Sequence, residues 1–145
     1  MSKPKSAGSQ SKAAKELIEK VRTILDGLGL KCQEQRRSEL GSVIIGRGRD
    51  VDLTVVDDEG NPIMFIECKA QNTSGTAEEK LFRVIEEANR DKERGIPSII
   101  VFSGYGWSTD LLRHAMLYCA VREEHLEEWL SIYFRYSPNR STSRA

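Results

Sequence analysis

The sequence predicts an α/β fold in which helices flank a mixed central sheet. Segments with helical spacing of apolar residues are interspersed with short β-branched, apolar runs, which is typical of this fold class. Residues 97–102 form a largely apolar run between a proline and a glycine, as expected of a buried strand in the parallel part of a sheet. With 145 residues, of which 39% are hydrophobic, the chain is long enough to bury a single core without disulfides.

The individual elements follow from periodicity and turn residues. Four segments with apolar residues on one helical face are predicted to be helices: 13–28, 81–94, 108–119 and 123–133. Five short runs are predicted to be strands: 30–35, 42–45, 51–56, 63–69 and 97–102. We expect turns at residues 36–39 and at residues 57–62, where Asp, Gly, Asn and Pro cluster. The second turn joins two adjacent strands into a hairpin.

Three charged residues interrupt the apolar strands of this hairpin. Side chains alternate between the faces of a strand, so Glu67 and Lys69 emerge on one side while Ile66 and Cys68 emerge on the other. Pairing across the turn brings Asp52 of the partner strand beside Glu67. Two carboxylates and an ammonium therefore converge at one place on the sheet, and hard divalent cations favour such oxygen-rich sites. The plain alternative is a half-solvated hairpin with one ion pair.

The pattern of Asp52, fourteen residues and then Glu67-Cys68-Lys69 resembles the PD-(D/E)XK nuclease superfamily. This superfamily includes restriction endonucleases, Holliday-junction resolvases and repair nucleases. Val51 stands where the proline of the motif would be. The order of elements is similar to the superfamily's αβββαβ core, so the resemblance implies a restriction endonuclease-like fold.

The resemblance also implies a catalytic site. Asp52 and Glu67, with the main-chain carbonyl of Cys68, would hold Mg²⁺, for which Mn²⁺ can substitute, at a scissile phosphate. Lys69 would orient the attacking water, and the expected reaction is hydrolysis of a DNA phosphodiester. Gln71 lies on the same face as Glu67 and Lys69 and is predicted to be a secondary site residue.

Other carboxylates compete for a place in this site. Asp50 lies two residues from Asp52 on the same strand face and is its rival, although Asp52 fits the superfamily's pattern better. Some members add a glutamate from the first helix, for which Glu16 and Glu19 are candidates. Both point away from the apolar stripe of that helix, which favours a solvated position.

Several residues are predicted to contact DNA. The Ser74-Gly75-Thr76 to Lys80 segment is similar to an element that follows the catalytic strand in restriction-type members, where it approaches the DNA backbone. Thr76 is a suitable N-cap, and a helix N-terminus attracts phosphate. The chain has 22 basic and 22 acidic residues, but phosphate contacts need a local patch and not a basic total. The candidates for such a patch are Arg36, Arg37, Arg47 and Arg49.

The two ends of the chain differ in composition from its middle. We expect residues 1–11 to be a basic flexible tail, residues 12–136 to form the nuclease-like domain, and residues 137–145 to be a second flexible tail. Three widely spaced cysteines predict neither a disulfide framework nor a zinc site. The sequence has no apolar run near the roughly twenty residues that a membrane span needs, so a cytoplasmic protein without a membrane partner is expected.

The favoured hypothesis is a Mg²⁺-dependent endodeoxyribonuclease with restriction-type specificity, acting on DNA as a homodimer or higher homo-oligomer. A Holliday-junction resolvase or repair nuclease is the nearest alternative. A nucleic-acid-binding subunit that keeps the fold without the activity is a hypothesis of a different class, and the intact Asp52, Glu67 and Lys69 argue against it. A generic α/β binding domain is the remaining alternative.

Overall fold

The computed structural model describes residues 11–38, 49–70, 77–104 and 107–136. Within them the helices are α1 (Lys12–Gly27), α2 (Ala77–Glu93), α3 (Thr109–Tyr118) and α4 (Leu126–Tyr136). The strands are β1 (Lys31–Ser38), β2 (Arg49–Val56), β3 (Pro62–Ala70), β4 (Ser98–Ser103) and β5 (Ala120–Arg122). A single 3-10 turn, Glu123–His125, leads into α4. None of the described helices combines the length and the apolar character that crossing a membrane requires.

The five strands form one mixed sheet in the order β1-β2-β3-β4-β5. β1, β2 and β3 pair in antiparallel fashion, whereas β3, β4 and β5 pair in parallel. Parallel neighbours need crossover connections, and α2 and α3 supply them. The expected α/β fold with a mixed sheet between helices is therefore confirmed.

One layer of helices, α1 and α4, covers the first face of the sheet. Ser11 caps α1 by accepting a hydrogen bond from the Ala14 N–H at 3.1 Å. The helical spacing of its apolar residues turns one stripe inward, as the sequence predicts. The stripe packs with apolar side chains of α4 and of the strands into one cluster, whose helical members are Leu17, Ile18, Val21, Leu25, Leu126, Leu130 and Phe134.

The second layer, α2 and α3, covers the opposite face. Val84, Ile85 and Ala88 of α2 pack with Ile100 and Phe102 of β4 into a separate cluster. This cluster also contains Trp107, whose ring meets that of Phe102 edge to face at 6.5 Å and whose Nε1–H donates to the Ser103 carbonyl at 2.9 Å. The tryptophan after β4 thus closes the core on this face.

A tight turn closes the β2–β3 hairpin where the sequence predicts it. The Asp57 carboxylate accepts hydrogen bonds from the main-chain N–H groups of Glu59 and Asn61, both at 2.9 Å. Gly60 adopts a φ of 85°, a conformation that side chains with a Cβ rarely take. The turn fixes the register between β2, which precedes it, and β3, which follows it.

The structure corrects three local predictions. Residues 36–38 are strand and not turn, because β1 is an edge strand whose polar residues keep their main-chain pairing with β2. β5 was not predicted, since three residues between two helices are too short to show a period. α2 begins at Ala77, which is the start expected from Thr76 as N-cap and four residues before the start that apolar spacing predicts. The predicted strand at 42–45 lies outside the described residues.

Candidate active site

The pairing between the two antiparallel strands of the hairpin, β2 and β3, stops before either strand ends. The β2–β3 register runs from the turn to the pair Leu53↔Ile66 and goes no further. On the outer sides, β1–β2 pairing continues to Ser38↔Arg49, and β3–β4 pairing continues to Ala70↔Ser103. The sheet therefore opens between residues 49–52 of β2 and residues 67–70 of β3. We call this opening the fork.

Asp52 and Glu67 stand on opposite sides of the fork, at its base. They are the next residues in register after Leu53↔Ile66, so their side chains emerge as cross-strand neighbours on one face. Ile66 and Cys68 belong to the core cluster under α1 and α4. Since side chains alternate, Asp52, Glu67 and Lys69 emerge on the other face, the one that α2 and α3 cover. The alternation that the sequence predicts for this strand is thus observed.

A hydrogen bond across the fork fixes the Asp52 carboxylate. Its Oδ2 accepts the Cys68 main-chain N–H at 2.9 Å, where continued pairing would have supplied a carbonyl from β2. Asp52 is buried, with 7% of its surface exposed, and a bond from N–H to an ionised acceptor is stronger than one between neutral groups. A carboxylate has about four acceptor positions, so this bond orients Asp52 without using all of them.

The main chain of Cys68 adds a carbonyl oxygen to the two carboxylates at the fork. In a β-strand, the N–H and C=O of one residue point toward the same neighbouring strand. Because the Cys68 N–H reaches Asp52 across the fork, the Cys68 carbonyl points into the fork as well. Asp52, Glu67 and this carbonyl are thus three oxygen-bearing groups at the fork, from two strands, that could hold a cation.

The thiol of Cys68 points the other way, into the core. Burial raises its pKa well above the ordinary value, and the negative charges of Asp52 and Glu67 raise it further, whereas Lys69 lowers it. All three charges therefore lie close enough to act on the sulfur through the strand. The thiol itself is a neutral packing group.

The rival carboxylates are placed differently. Asp50 is exposed and lies on the same face as Asp52, one pleat further toward the open end of the fork. Glu16 and Glu19 lie on the solvent side of α1, and Glu19 pairs with Arg22 there. α1 covers the face of the sheet opposite Asp52 and Glu67. The structure therefore does not bring either first-helix glutamate to the fork.

The predicted DNA contacts are only partly covered by the structure. The register places Arg36 opposite Val51 and Arg37 opposite Asp50. Arg49 begins β2 and Lys80 lies in the first turn of α2, but only the main chain is described at these four basic positions. The predictions for Gln71, Arg47 and Thr76 lie outside the described residues.

Sequence reasoning missed a group of buried polar residues beneath α2. Glu87 and Asp91 are buried on this helix, where Arg83 lies 3.7 Å from Glu87 and the Ser98 hydroxyl donates to Asp91 at 2.7 Å. The sequence contained a signal for their burial. Glu87 and Asp91 continue the helical spacing of the apolar residues Val84 and Ala88, so they lie on the inward face of the helix. The group shares its face of the sheet with Asp52 and Glu67.

Thr54 lies on the same face as Asp52, one pleat closer to the turn. It is fully buried, with 0% of its surface exposed, and its Oγ1 has no hydrogen-bond partner within the described parts of the chain. An unpaired buried hydroxyl costs free energy. Thr54 is therefore a buried polar position beside Asp52 whose hydroxyl the described residues leave unpaired.

Few side chains at the fork could act as metal ligands. Across the described residues, no three side chains of His, Cys, Asp or Glu are grouped so that they could hold a metal ion. Two carboxylates and a main-chain carbonyl suit Mg²⁺, which is usually held by one or two carboxylates and completes its shell with water and substrate phosphate. The chemistry of the donor set therefore fits this ion.

A comparison with protein families matches residues 9–133 to a model described as the PD-(D/E)XK nuclease superfamily domain. This span contains the fork, the whole sheet and both helical layers except the last turn of α4. No curated protein and no solved structure matches the chain.

Proposed function

Since this chain belongs to the PD-(D/E)XK nuclease superfamily, we propose that it is a Mg²⁺-dependent endodeoxyribonuclease with Asp52, Glu67 and Lys69 at its centre. The observation that carries the proposal is the fork, where pairing between β2 and β3 stops at the level of two facing carboxylates. A strand pair that served the fold alone would gain by continuing its main-chain hydrogen bonds through these positions.

Asp52, Glu67 and the Cys68 carbonyl are the groups that would hold the metal. The bond from the Cys68 N–H keeps Asp52 turned toward β3, so its carboxylate is oriented before any ligand arrives. The chemistry that Mg²⁺ supplies in such a site is neutralisation of phosphoryl charge and a lower pKa for the attacking water. Mn²⁺, which also favours oxygen ligands, should substitute for it.

Lys69 supplies the third charge of the site. It follows Glu67 by two residues and emerges on the same face. Its ammonium would donate to the attacking water and offset the negative charge that develops on the phosphoryl oxygens. Water then bonds to phosphorus, the bond to the 3′-oxygen breaks, and that oxygen takes up a proton. The products are a 5′-phosphate and a 3′-hydroxyl.

Gln71 is the secondary residue of the proposed site, and Asp50 is the rival of Asp52. Gln71 follows Lys69 by two residues in the sequence, the same spacing that separates Lys69 from Glu67. Asp50 is exposed and lies on the same face as Asp52, one pleat further toward the open end of the fork.

The proposed substrate is double-stranded DNA, with restriction-type cleavage favoured by the segment from Ser74 to Lys80. The described part of one chain contains one fork, so cutting both strands at one place requires a homodimer with two-fold symmetry or two separate events. A resolvase or repair nuclease uses the same chemistry on branched or damaged DNA. A subunit that only binds DNA would keep the fold without the reaction.

Cleavage assays test the proposal directly. Supercoiled plasmid, linear duplex and a four-way junction are incubated with the protein in Mg²⁺, in Mn²⁺ and in EDTA. We expect nicking or linearisation of plasmid that depends on the metal, and discrete fragments if the cleavage is site-specific. Cleavage of the junction alone would favour a resolvase. Binding of all three substrates without cleavage in either metal would contradict the catalytic proposal.

A further inference from the structure

The parallel half of the sheet places a second cation at the same edge as Lys69. The register pairs Lys69 of β3 with Phe102 of β4, and Phe102 with Arg122 of β5. Side chains in one row of a parallel sheet emerge on the same face, and neighbouring strands lie about 4.8 Å apart. The main chains of Lys69 and Arg122 are thus about 10 Å apart, on one face and at the ends of their strands.

The contacts of Arg122 confirm the face on which it lies. Its guanidinium carbon is 5.3 Å from the centroid of the Phe102 ring, which belongs to the core cluster under α2 and α3. This is the distance of a cation–π contact. The side chain therefore lies along the sheet, over the residue next to Lys69, and does not extend away into solvent.

Glu124 holds the same guanidinium from one side. The Arg122 Nε–H donates to Glu124 Oε2 at 2.9 Å. This bond lowers the pKa of Glu124, so the carboxylate stays ionised and the pair persists well below neutral pH. With the ring beneath it and the carboxylate beside it, the plane of the guanidinium is fixed.

The terminal nitrogens of Arg122 remain available. Within the part of the chain that the structure describes, Glu124 and the Phe102 ring are the partners of this side chain, and both leave the two terminal NH₂ groups without an acceptor. The side chain is 23% exposed. A fixed planar guanidinium with open N–H groups matches the geometry of a phosphate, which it can bind through two parallel hydrogen bonds.

We propose that Arg122 binds a backbone phosphate that flanks the scissile phosphate, and so positions the DNA strand over Lys69 and the fork. This rests on the proposed nuclease function. One DNA strand carries one charge per about 3.4 Å of helix axis, so a cation about 10 Å from Lys69 falls within a short run of phosphates. In a chain whose acidic and basic residues balance, such local contacts decide where DNA binds.

Binding of a fluorescently labelled linear duplex across a salt series tests this, with Ca²⁺ in place of Mg²⁺ to measure binding apart from cleavage. One lost phosphate contact reduces the slope of log affinity against log salt by about 0.9. We therefore expect Arg122→Gln to bind about eightfold more weakly at 0.1 M salt than the original chain and equally at 1 M. In cleavage with Mg²⁺, its KM should rise while kcat stays within about twofold.

Two further variants separate a phosphate contact from a structural role. Arg122→Lys keeps the charge and should restore the slope while recovering only part of the affinity, because an ammonium cannot form two parallel bonds. Arg22→Gln is the matched control, since Arg22 is also paired with a glutamate but lies on α1 in the other layer. It should change neither affinity nor slope.

The outcomes separate this inference from the nuclease proposal. If the original chain cleaves plasmid while Arg122→Gln keeps its affinity and salt slope, the inference is overturned and the nuclease stands. If both Arg122 variants lower the melting temperature equally and leave the slope unchanged, Arg122 is structural and the inference is again overturned. If the original chain neither binds nor cleaves DNA, the nuclease proposal fails and this inference fails with it.

Discussion

The two ends of the β2–β3 hairpin use an aspartate in different ways. At the closed end, Asp57 accepts the main-chain N–H groups of Glu59 and Asn61, and its side chain also meets the Asn61 amide at 3.3 Å. At the open end, Asp52 accepts the Cys68 N–H while facing Glu67 across a gap in the pairing. Asp57 stabilises the turn that joins the two strands, whereas Asp52 bridges the two strands at the point where their main-chain pairing stops.

If the fork is the active site as proposed, the two ends of this hairpin separate stability from function. The Asp57 carboxylate accepts hydrogen bonds from several N–H donors, and these bonds, that of the Asn61 main chain first, hold its pKa below the ordinary value. The buried Asp52 carboxylate stands beside another acid, an arrangement that favours a bound cation. Changes at the closed end should therefore affect folding, and changes at the open end should affect catalysis.

A large effect on catalysis is expected at Lys69. Lys69→Ala removes the ammonium that we propose offsets charge at the phosphate, and the rate of plasmid cleavage should fall roughly 100- to 1,000-fold, the usual cost of one such group. Lys31→Ala, which removes an exposed lysine paired with Asp58 near the closed end, is the control and should cleave normally. Equal rates for the two variants would remove Lys69 from the site.

Two substitutions of Asp52 separate its charge from its hydrogen bond. Asp52→Asn keeps an oxygen for the Cys68 N–H but removes the negative charge, so cleavage should be lost with little change in stability. Asp52→Ala also leaves that N–H buried without an acceptor, which should lower the free energy of unfolding by about 1–3 kcal/mol more. Urea denaturation and plasmid cleavage measure both quantities. An active Asp52→Asn variant would favour Asp50 as the metal ligand.

At the closed end, Asp57→Ala should lower the melting temperature by a few degrees and leave the cleavage rate per folded molecule unchanged. Because the folded-state pKa of Asp57 is lowered, its contribution is present above the unfolded pKa of about 3.9 and is lost as pH falls through the folded value. The difference in melting temperature between the original chain and the Asp57→Ala variant should therefore shrink below about pH 4. Asp58→Ala, at an exposed neighbour, should change little; a difference that persists at low pH would contradict this account.

The smallest effect concerns Thr54, which lies between the two ends. Thr54→Val replaces a buried hydroxyl that has no partner within the described residues by a methyl group of similar shape. The free energy of unfolding should rise by roughly 1 kcal/mol, as measured in urea, because the cost of the unpaired group disappears. A loss of stability would instead mean that the hydroxyl is satisfied by a buried water.

The hairpin is predictable from the sequence because its signals are local. The turn residues between Asp57 and Pro62, and the alternation of Glu67, Cys68 and Lys69, depend on neighbours in the chain. The parallel strand predicted at 97–102 is equally recognisable, and β4 occupies Ser98–Ser103. Local signals of this kind are sufficient to place Asp52 beside Glu67.

The fork could not be predicted, because it depends on where pairing between distant strands stops. No residue pattern near Leu53 or Ile66 in the sequence indicates that they form the last pair of β2 and β3. The same holds for Arg122, which lies on the site's face only because three residues of β5 pair in parallel with β4. Pairings of this kind are set by tertiary packing and are not encoded in the period of a short segment.

Plasmid cleavage by two matched glutamine variants tests the central claim most directly. Glu67→Gln removes a carboxylate at the open end of the hairpin, and Glu59→Gln removes an exposed one at the closed end. We predict that, in Mg²⁺, Glu59→Gln nicks supercoiled plasmid at the rate of the original chain while Glu67→Gln leaves it intact. Undiminished nicking by Glu67→Gln, with both variants folded, would contradict the assignment of the active site to the fork.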